Sequence, residues 1–311
     1  MESDNYSNII SNLENSMDRK INRRKYNIFK ILIPIIIISV IFYYYFRPIK
    51  GNYLITHEYK NSNAFINELY MSDEYFKKSL LNEEDYYIYQ TIIEKNIEDE
   101  TKIIIKCSDD CANKFSKALN AVYLDHPELL SFKGINSYQI HPGYISYNNH
   151  HYFSKIKSYF ASKRIAREME NIRNKTKNMS EKEKIIFVYN YVGSHNYDRI
   201  FMYSSSNQSA YSFFSKGESV CVGFAKATQI IFQNIGIKSY PVLTTNHMFN
   251  YVEYNGKYYI FDATYAASFR DKTHENYYNG LGNSTTGVIT GLYSEYYPDI
   301  ETTKLKDIFG I

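Results

Sequence analysis

Residues 216–225 read KGESVCVGFA, and Cys221 stands where this segment passes into a helical pattern. Downstream of it, Phe224, Ala227 and Ile231 recur at the spacing of one helical face, which predicts a helix beginning at Cys221. The unpaired N–H groups and the dipole at a helix N-terminus favour negative charge, so they lower the pKa of a thiol placed there. The same N–H groups can stabilise an oxyanion. The sequence therefore predicts a nucleophilic cysteine at position 221.

Three antiparallel strands are predicted after this helix, over 238–245, 248–254 and 257–261. Asn255-Gly256 is a strong signal for a two-residue hairpin turn between the second strand and the third. The three segments therefore predict a small antiparallel sheet.

His247 precedes the middle strand of this sheet, and Asp262 ends the last strand. Pairing about the hairpin turn brings residue 249 opposite residue 262, which sets His247 within reach of Asp262. A thiol, an imidazole and a carboxylate then converge. In that arrangement His247 holds the proton of Cys221, and Asp262 fixes the tautomer of the imidazole and stabilises its cation.

Each of these residues also has a purely structural explanation. A lone cysteine in an apolar stretch is commonly a small buried hydrophobic residue, and a histidine at a strand start is commonly a surface or core residue. An aspartate that closes a strand is commonly a turn former. Their order along the chain and their convergence favour catalysis, so Cys221, His247 and Asp262 are the predicted catalytic residues.

The sequence around these residues resembles the core of the transglutaminase-like superfamily. The resemblance is specific in residues 217–225, 247–252 and 259–265, and looser in residues 189–198 and 209–211. Residues 125–130, DHPELL, look like a region that precedes this domain in bacterial surface members of the superfamily.

The resemblance implies an α+β fold with a papain-like core, in which a helix bearing Cys221 packs on an antiparallel sheet bearing His247 and Asp262. It also implies acyl transfer through a thioester on Cys221. This chemistry requires no metal and no other cofactor.

Two positions depart from the family pattern. The family often has Trp two residues after its histidine and just beyond its aspartate, where this chain has Phe249 and Tyr265; the chain contains no Trp. The retained aromatic bulk predicts retained packing. Tyr211 and Tyr191 are candidates for the side chain that completes the oxyanion hole, and both are equally compatible with a role as ordinary core tyrosines.

Residues 28–46 read IFKILIPIIIISVIFYYYF, in which Lys30 is the one charged residue. Length and apolarity predict a single transmembrane helix, with the three tyrosines at residues 43–45 in an aromatic belt. Six Lys or Arg residues lie before residue 31, which predicts a cytoplasmic N-terminus and an extracytoplasmic remainder. A buried core helix is the alternative, and the absence of a small-residue cleavage site argues against a signal peptide.

The predicted organisation is a cytoplasmic tail over 1–27, a transmembrane helix over 28–46, a membrane-proximal α+β region over 47–180 and a catalytic domain over 181–311. In the membrane-proximal region, a helical stripe includes Phe115, Ala118, Leu119 and Val122. Ser108 or Asp109 is the predicted N-cap of that helix.

Three further local features are predicted. Residues 138–147 alternate apolar and polar side chains around Pro142-Gly143, which predicts a hairpin. Ser180 and Glu183 fit a capping box. Cys107 and Cys111 are equally compatible with a disulfide and with two free thiols, and their neighbourhood supplies too few ligands for zinc.

The composition excludes some function classes. The chain has 311 residues, 36 Lys and Arg, 33 Asp and Glu and a net charge of +3, so it lacks the basic field that nucleic-acid binding needs.

Together, the predicted catalytic residues, the resemblance and the apolar run predict a membrane-anchored thiol enzyme. It is expected to act on amide bonds of peptides or proteins at the cell surface, with hydrolysis favoured. A cross-linking transglutaminase and a non-catalytic binding or assembly module with a vestigial triad are the alternatives.

Overall fold

The residues that the computed structural model describes are 30, 32–39, 75–80, 82–98, 102–108, 110–130, 132, 138–148, 155–200, 207–283 and 297–311. The chain divides into two units, Met1–Pro48 and Ile49–Ile311.

Of the predicted membrane span over 28–46, residue 30 and residues 32–39 are described, and they are helical. The rest of that span and the predicted tail over 1–27 lie outside the described residues. Within the described ranges, no helix combines the length and the apolarity that crossing a membrane takes.

The N-terminal part of the second unit is a three-stranded sheet with two helices. In chain order its elements are α1 (Glu83–Glu98), β1 (Lys102–Lys106), α2 (Cys111–Asp125), β2 (Tyr138–His141) and β3 (Tyr144–Asn148), preceded by a 3-10 turn over Phe76–Ser79. The strands are antiparallel in the order β1-β3-β2, and β2 and β3 form the predicted hairpin. Buried side chains on one face of this sheet, such as Ile105 and Ile145, share a core with Phe115 of α2.

The start of α2 corrects the predicted cap. The N-cap is Asp110, whose φ of 58° lies in the left-handed region and whose side chain makes no capping hydrogen bond. Ser108 instead donates its backbone N–H and its hydroxyl to the carboxylate of Glu84, and Asp109 lies outside the described residues. Cys107 and Cys111 are joined by a disulfide with their Cα atoms 5.5 Å apart, so the chain turns sharply just before the helix.

Helices and two short strands follow along the chain. They are α3 (Lys155–Thr176), α4 (Glu181–Gly193), β4 (Asn196–Tyr197), α5 (Ala210–Lys216), β5 (Glu218–Ser219) and α6 (Cys221–Asn234). The predicted capping box of α4 is confirmed, since Glu183 N donates to Ser180 Oγ and Ser180 N donates to Glu183 Oε2. The strands β4 and β5 pair in parallel, and Tyr197 lies opposite Ser219.

The second sheet comprises β6 (Ser239–Leu243), β7 (Met248–Tyr254) and β8 (Lys257–Phe261), antiparallel with β7 in the centre. Its hairpin turn is the predicted one, because Asn255 and Gly256 both have positive φ, at 50° and 75°. Asn250 pairs with Phe261, which is the predicted register. The bounds of β7 and β8 match the prediction, and β6 is shorter than the predicted 238–245.

Both edges of this second sheet receive contacts from later segments of the chain. At the β6 edge, the hydroxyl of Tyr297 donates to the Pro241 carbonyl and accepts from the Leu243 N–H. At the β8 edge, Tyr258 pairs with Ile300, and Phe261 pairs with Leu281. The last elements are α7 (Thr264–Phe269), a 3-10 turn over Tyr277–Gly280 and α8 (Leu305–Phe309).

Helix α6 is buried almost all round. Eleven of its fourteen residues are buried, including the polar residues Lys226 and Gln229. Phe224 and Ile231 belong to a core shared with α3, α4 and β8, whereas Ala225 belongs to a core shared with α2 and β7. The helix that begins at Cys221 is therefore held from several sides.

Candidate functional site

Cys221 is the first residue of α6, as predicted. Val220 is the N-cap with extended backbone, and it provides no side-chain hydrogen bond to the first turn. The thiol is free and partly exposed. The helix N-terminus therefore presents its N–H groups and its dipole to this thiol without a competing cap.

The turn into α6 is tightly packed around Gly223. A Cβ at this position would lie 1.9 Å from Ser219 Oγ and 2.8 Å from the Ser209 carbonyl oxygen. The Ser219 hydroxyl in turn donates to the Asn207 carbonyl and lies 2.6 Å from Ser212 Oγ. A residue larger than glycine cannot fit at position 223 unless this serine cluster moves.

His247 is held at the start of β7 by its backbone. Its N–H donates to Thr244 Oγ1 at 3.1 Å, and its carbonyl accepts from the Thr244 N–H at 2.8 Å. The imidazole Nε2 lies 2.7 Å from Asp262 Oδ2. Since Nε2 is engaged by Asp262, Nδ1 is the ring nitrogen left to face the hydrogen-bonded thiol of Cys221.

Asp262 is 1% exposed and is fixed through both carboxylate oxygens. While Oδ2 faces His247, Oδ1 accepts hydrogen bonds from the backbone N–H and the hydroxyl of Thr264. The Asp262 backbone N–H donates to the Gly280 carbonyl at 2.8 Å. A Cβ at Gly280 would lie 2.0 Å from the Asp262 carbonyl oxygen, so the glycine permits this close approach.

The structure thus brings Cys221, His247 and Asp262 together, and their interactions shift two pKa values in opposite directions. Burial alone would lower the pKa of His247, but hydrogen bonds and charge interactions with Asp262 and Cys221 outweigh burial and raise it to about 10. Burial alone would raise the pKa of the Cys221 thiol, but the hydrogen bond and charge of His247 lower it. The pair therefore favours a thiolate facing an imidazolium.

Two further groups lower the pKa of the Cys221 thiol. They are the backbone N–H of Met248 and the hydroxyl of Tyr197, two donors that favour the charged form of the sulfur. Burial first, and then the proximity of Cys221, raises the pKa of the Tyr197 hydroxyl, so this side chain remains a neutral donor. The Cys221 backbone N–H opposes part of this shift, which places the Tyr197 hydroxyl beside the first turn of α6.

Tyr197 is the site residue that the sequence analysis did not identify. The parallel pairing of β4 with β5 places it opposite Ser219, two residues before Cys221. The two predicted tyrosines lie elsewhere: Tyr191 donates to Glu168 Oε1 at 3.0 Å, and Tyr211 is buried in the helical core. Tyr197 lay within the loosely resembling segment 189–198, which was the one signal available.

A cleft of about 370 Å³ opens over the thiol. Its lining is Tyr197, Gln208, Val220, Cys221, Val222, Leu243, Thr244, Thr245, Asn246 and His247. No Asp, Glu, Lys or Arg is among these described lining residues. Across the described parts of the chain, no cluster of three or more His, Cys, Asp or Glu side chains is arranged to hold a metal ion.

The whole site lies within a segment of the chain that matches a known family. Residues 158–282 match the family model of the transglutaminase-like domain. This match supports the superfamily. The matched segment begins in α3 and includes Cys221, His247 and Asp262, and its mixture of helices and antiparallel sheet agrees with the predicted α+β class.

Other comparisons add little to the family match. No curated protein matches this chain. A solved structure titled "Crystal structure of a TGase" aligns with 19% identity and a TM-score of 0.28. The alignment covers 52% of this chain and 50% of that chain, so it spans about half of the length of the solved protein.

Proposed function

We propose that this protein is a thiol enzyme that cleaves amide bonds of peptides or proteins through a thioester on Cys221. The observation that carries the proposal is the 2.7 Å contact between His247 Nε2 and Asp262 Oδ2 beside a thiol whose pKa is lowered by the same imidazole. Such a pair supplies both a nucleophile and a proton donor.

In the first half of the reaction, the Cys221 thiolate attacks the amide carbonyl carbon, and the carbonyl oxygen becomes an oxyanion. The backbone N–H of Cys221 and the hydroxyl of Tyr197, which both lie beside the thiol, would donate hydrogen bonds to that oxyanion. The His247 imidazolium gives its proton to the leaving nitrogen as the C–N bond breaks. The products are a thioester and ammonia or an amine.

In the second half, neutral His247 accepts a proton from water as the water oxygen attacks the thioester. The C–S bond breaks, a carboxylic acid leaves, and the thiolate and imidazolium are restored. Asp262 stabilises the imidazolium through its contact with Nε2. An amine that attacks in place of water would give a cross-link, so hydrolysis and transamidation share every residue named here.

We also propose that residues 28–46 anchor the protein in a membrane with the catalytic part on the outer side. The apolar run and the basic residues before it support this proposal. The substrate would then be a peptide or protein at the cell surface.

Thiol labelling tests the enzymatic proposal, and the disulfide makes the test specific. Because Cys107 and Cys111 are bonded, Cys221 is the one free cysteine, so one equivalent of iodoacetamide reports on it without mutagenesis. We expect alkylation of the full-length chain near pH 6 to exceed that of glutathione by at least about tenfold, since glutathione carries an ordinary thiol. Alkylation no faster than glutathione would overturn the proposal.

Product analysis by mass spectrometry tests the outcome of the reaction. A glutamine-containing peptide library with a free lysine peptide would reveal a cut chain, a glutamate in place of glutamine, or a new isopeptide bond. Cleavage or deamidation supports hydrolysis, and an isopeptide supports the cross-linking alternative. If Cys221→Ala gives the same products as the unaltered chain, the thioester mechanism is wrong.

A further inference from the structure

Asn250 makes a direct connection between the two elements that carry the thiol and the imidazole. It lies on β7, three residues after His247, and its side chain is 1% exposed. Its Nδ2 donates to the carbonyl of Ala225 at 3.0 Å. Ala225 lies on α6, four residues after Cys221.

Asn250 is a polar residue at a position in the sheet where its neighbours on the same face are apolar. Alternate residues of β7 face α6, and the neighbours of Asn250 on that face, Met248 and Val252, are fully buried apolar residues. A buried amide costs free energy unless it is hydrogen-bonded, so an apolar residue would serve packing alone equally well. The amide at this place instead supplies one directional bond between the sheet and the helix.

The hydrophobic effect is non-directional, so a buried hydrogen bond adds a directional restraint to the packing between a helix and a sheet. A hydrogen bond weakens steeply with distance and angle. The Asn250 bond to Ala225 therefore restrains where the first turns of α6 lie relative to the start of β7. That relation sets the separation of the Cys221 thiol and the His247 imidazole.

We propose that Asn250 is a positioning residue that holds α6 and β7 in the register at which Cys221 and His247 form an ion pair. The inference rests on the proposed function. It assigns no contact between Asn250 and a substrate. Loss of this bond is expected to weaken the thiol–imidazole interaction and to raise the pKa of the Cys221 thiol.

Gln229 provides a matched control on the same helix. It is also 1% exposed, and its Nε2 donates to the carbonyl of Leu124 on α2 at 2.9 Å. Gln229→Leu and Asn250→Leu thus each remove one buried amide-to-carbonyl bond from α6. The Gln229 bond joins α6 to α2 and not to β7. Comparison of the two variants therefore distinguishes an effect on the geometry of the site from a general loss of stability.

The experiment measures the alkylation rate of Cys221 against pH for the full-length chain and both variants, together with their melting temperatures. We expect Asn250→Leu to raise the midpoint of the alkylation profile by about one pH unit, which is a tenfold lower rate at pH values below the midpoint. Gln229→Leu should keep the midpoint of the unaltered chain even if its melting temperature falls. Asn250→Ser, which retains an O–H donor, should give an intermediate midpoint.

An unchanged midpoint in Asn250→Leu overturns the inference, as does an equal shift in Gln229→Leu. If Asn250→Leu does not fold, the Asn250→Ser profile decides, and a midpoint equal to that of the unaltered chain overturns the inference. Failure of the proposed function is a separate result. It would appear as an ordinary thiol midpoint in the unaltered chain itself.

Discussion

His247 Nε2 lies 2.7 Å from Asp262 Oδ2, and this carboxylate is itself held by two hydrogen bonds from Thr264. A buried carboxylate in this position stabilises the charged imidazole, which helps to raise the pKa of His247 to about 10. The imidazole is therefore protonated at neutral pH and can hold the Cys221 thiol in its ionised form.

Asp262→Asn is expected to lower turnover on a peptide amide by about 10²–10⁴-fold, because the amide keeps the shape and loses the charge that stabilises the imidazolium. The pKa of His247 should fall, and the alkylation midpoint of Cys221 should rise. Asp271→Asn is the control, since Asp271 is an exposed carboxylate that accepts from Thr273. Equal activity in the Asp262 variant and the control would contradict a role for Asp262.

Tyr197→Phe removes the hydroxyl that donates to the Cys221 sulfur and keeps the ring. Since this hydroxyl lowers the pKa of Cys221, the alkylation midpoint is expected to rise. If the hydroxyl also stabilises the oxyanion, kcat should fall by about 10²–10³-fold. Tyr191→Phe, which loses a hydrogen bond to Glu168, should leave both quantities unchanged. A Tyr197 variant indistinguishable from this control would remove Tyr197 from the site.

Lys226 gives a pH dependence of stability that is separate from catalysis. Burial lowers the pKa of this lysine to about 7, against an ordinary value of 10.5, although the charge of Glu128 opposes the shift. Between these two values the unfolded chain binds more protons than the folded chain at this residue. Its contribution to the free energy of unfolding therefore rises as pH rises from about 7 to 10.5.

Lys226→Met is expected to remove this rise. The measurement is the difference in unfolding free energy between the unaltered chain and the variant at several pH values, which cancels the opposite slope from His247. Lys177→Met, at an exposed lysine, is the control for loss of one positive charge. A difference for Lys226→Met that does not vary with pH would show that Lys226 keeps its ordinary pKa in the folded protein.

Replacing Cys107 and Cys111 together by serine tests the disulfide. The bond closes a short loop, since the two residues are four positions apart, so the chain-entropy contribution is about 2 kcal/mol. We expect a lower free energy of unfolding by that amount and an unchanged alkylation profile at Cys221. An altered profile at Cys221 would reveal coupling between α2 and the thiol.

Much of the candidate site follows from local sequence signals. Asn255-Gly256 specifies the hairpin because both residues adopt positive φ, and the hairpin fixes the register that places His247 beside Asp262. The helix beginning at Cys221 follows from apolar periodicity. These signals act over a few residues, so one sequence is enough to interpret them.

Other features depend on contacts between distant segments. Tyr197 reaches Cys221 through two strands of two residues each, β4 and β5, which are too short to show any periodicity. Lys226 has the spacing of a solvent-facing residue, yet it is buried with its ammonium 3.5 Å from the centre of the Tyr123 ring. That burial arises because α2 packs on α6, and nothing in the local pattern of α6 predicts it.

The contacts at the two edges of the β6-β7-β8 sheet restrict how a second chain could pair with it. Pro241 has no N–H to offer, and the Tyr297 hydroxyl engages the Pro241 carbonyl and the Leu243 N–H at one edge. Ile300 pairs with Tyr258 at the other edge. Unpaired edge strands are templates for intermolecular β-pairing. The segment that supplies Tyr297 and Ile300 therefore occupies backbone groups at both edges that a second chain would need for β-pairing.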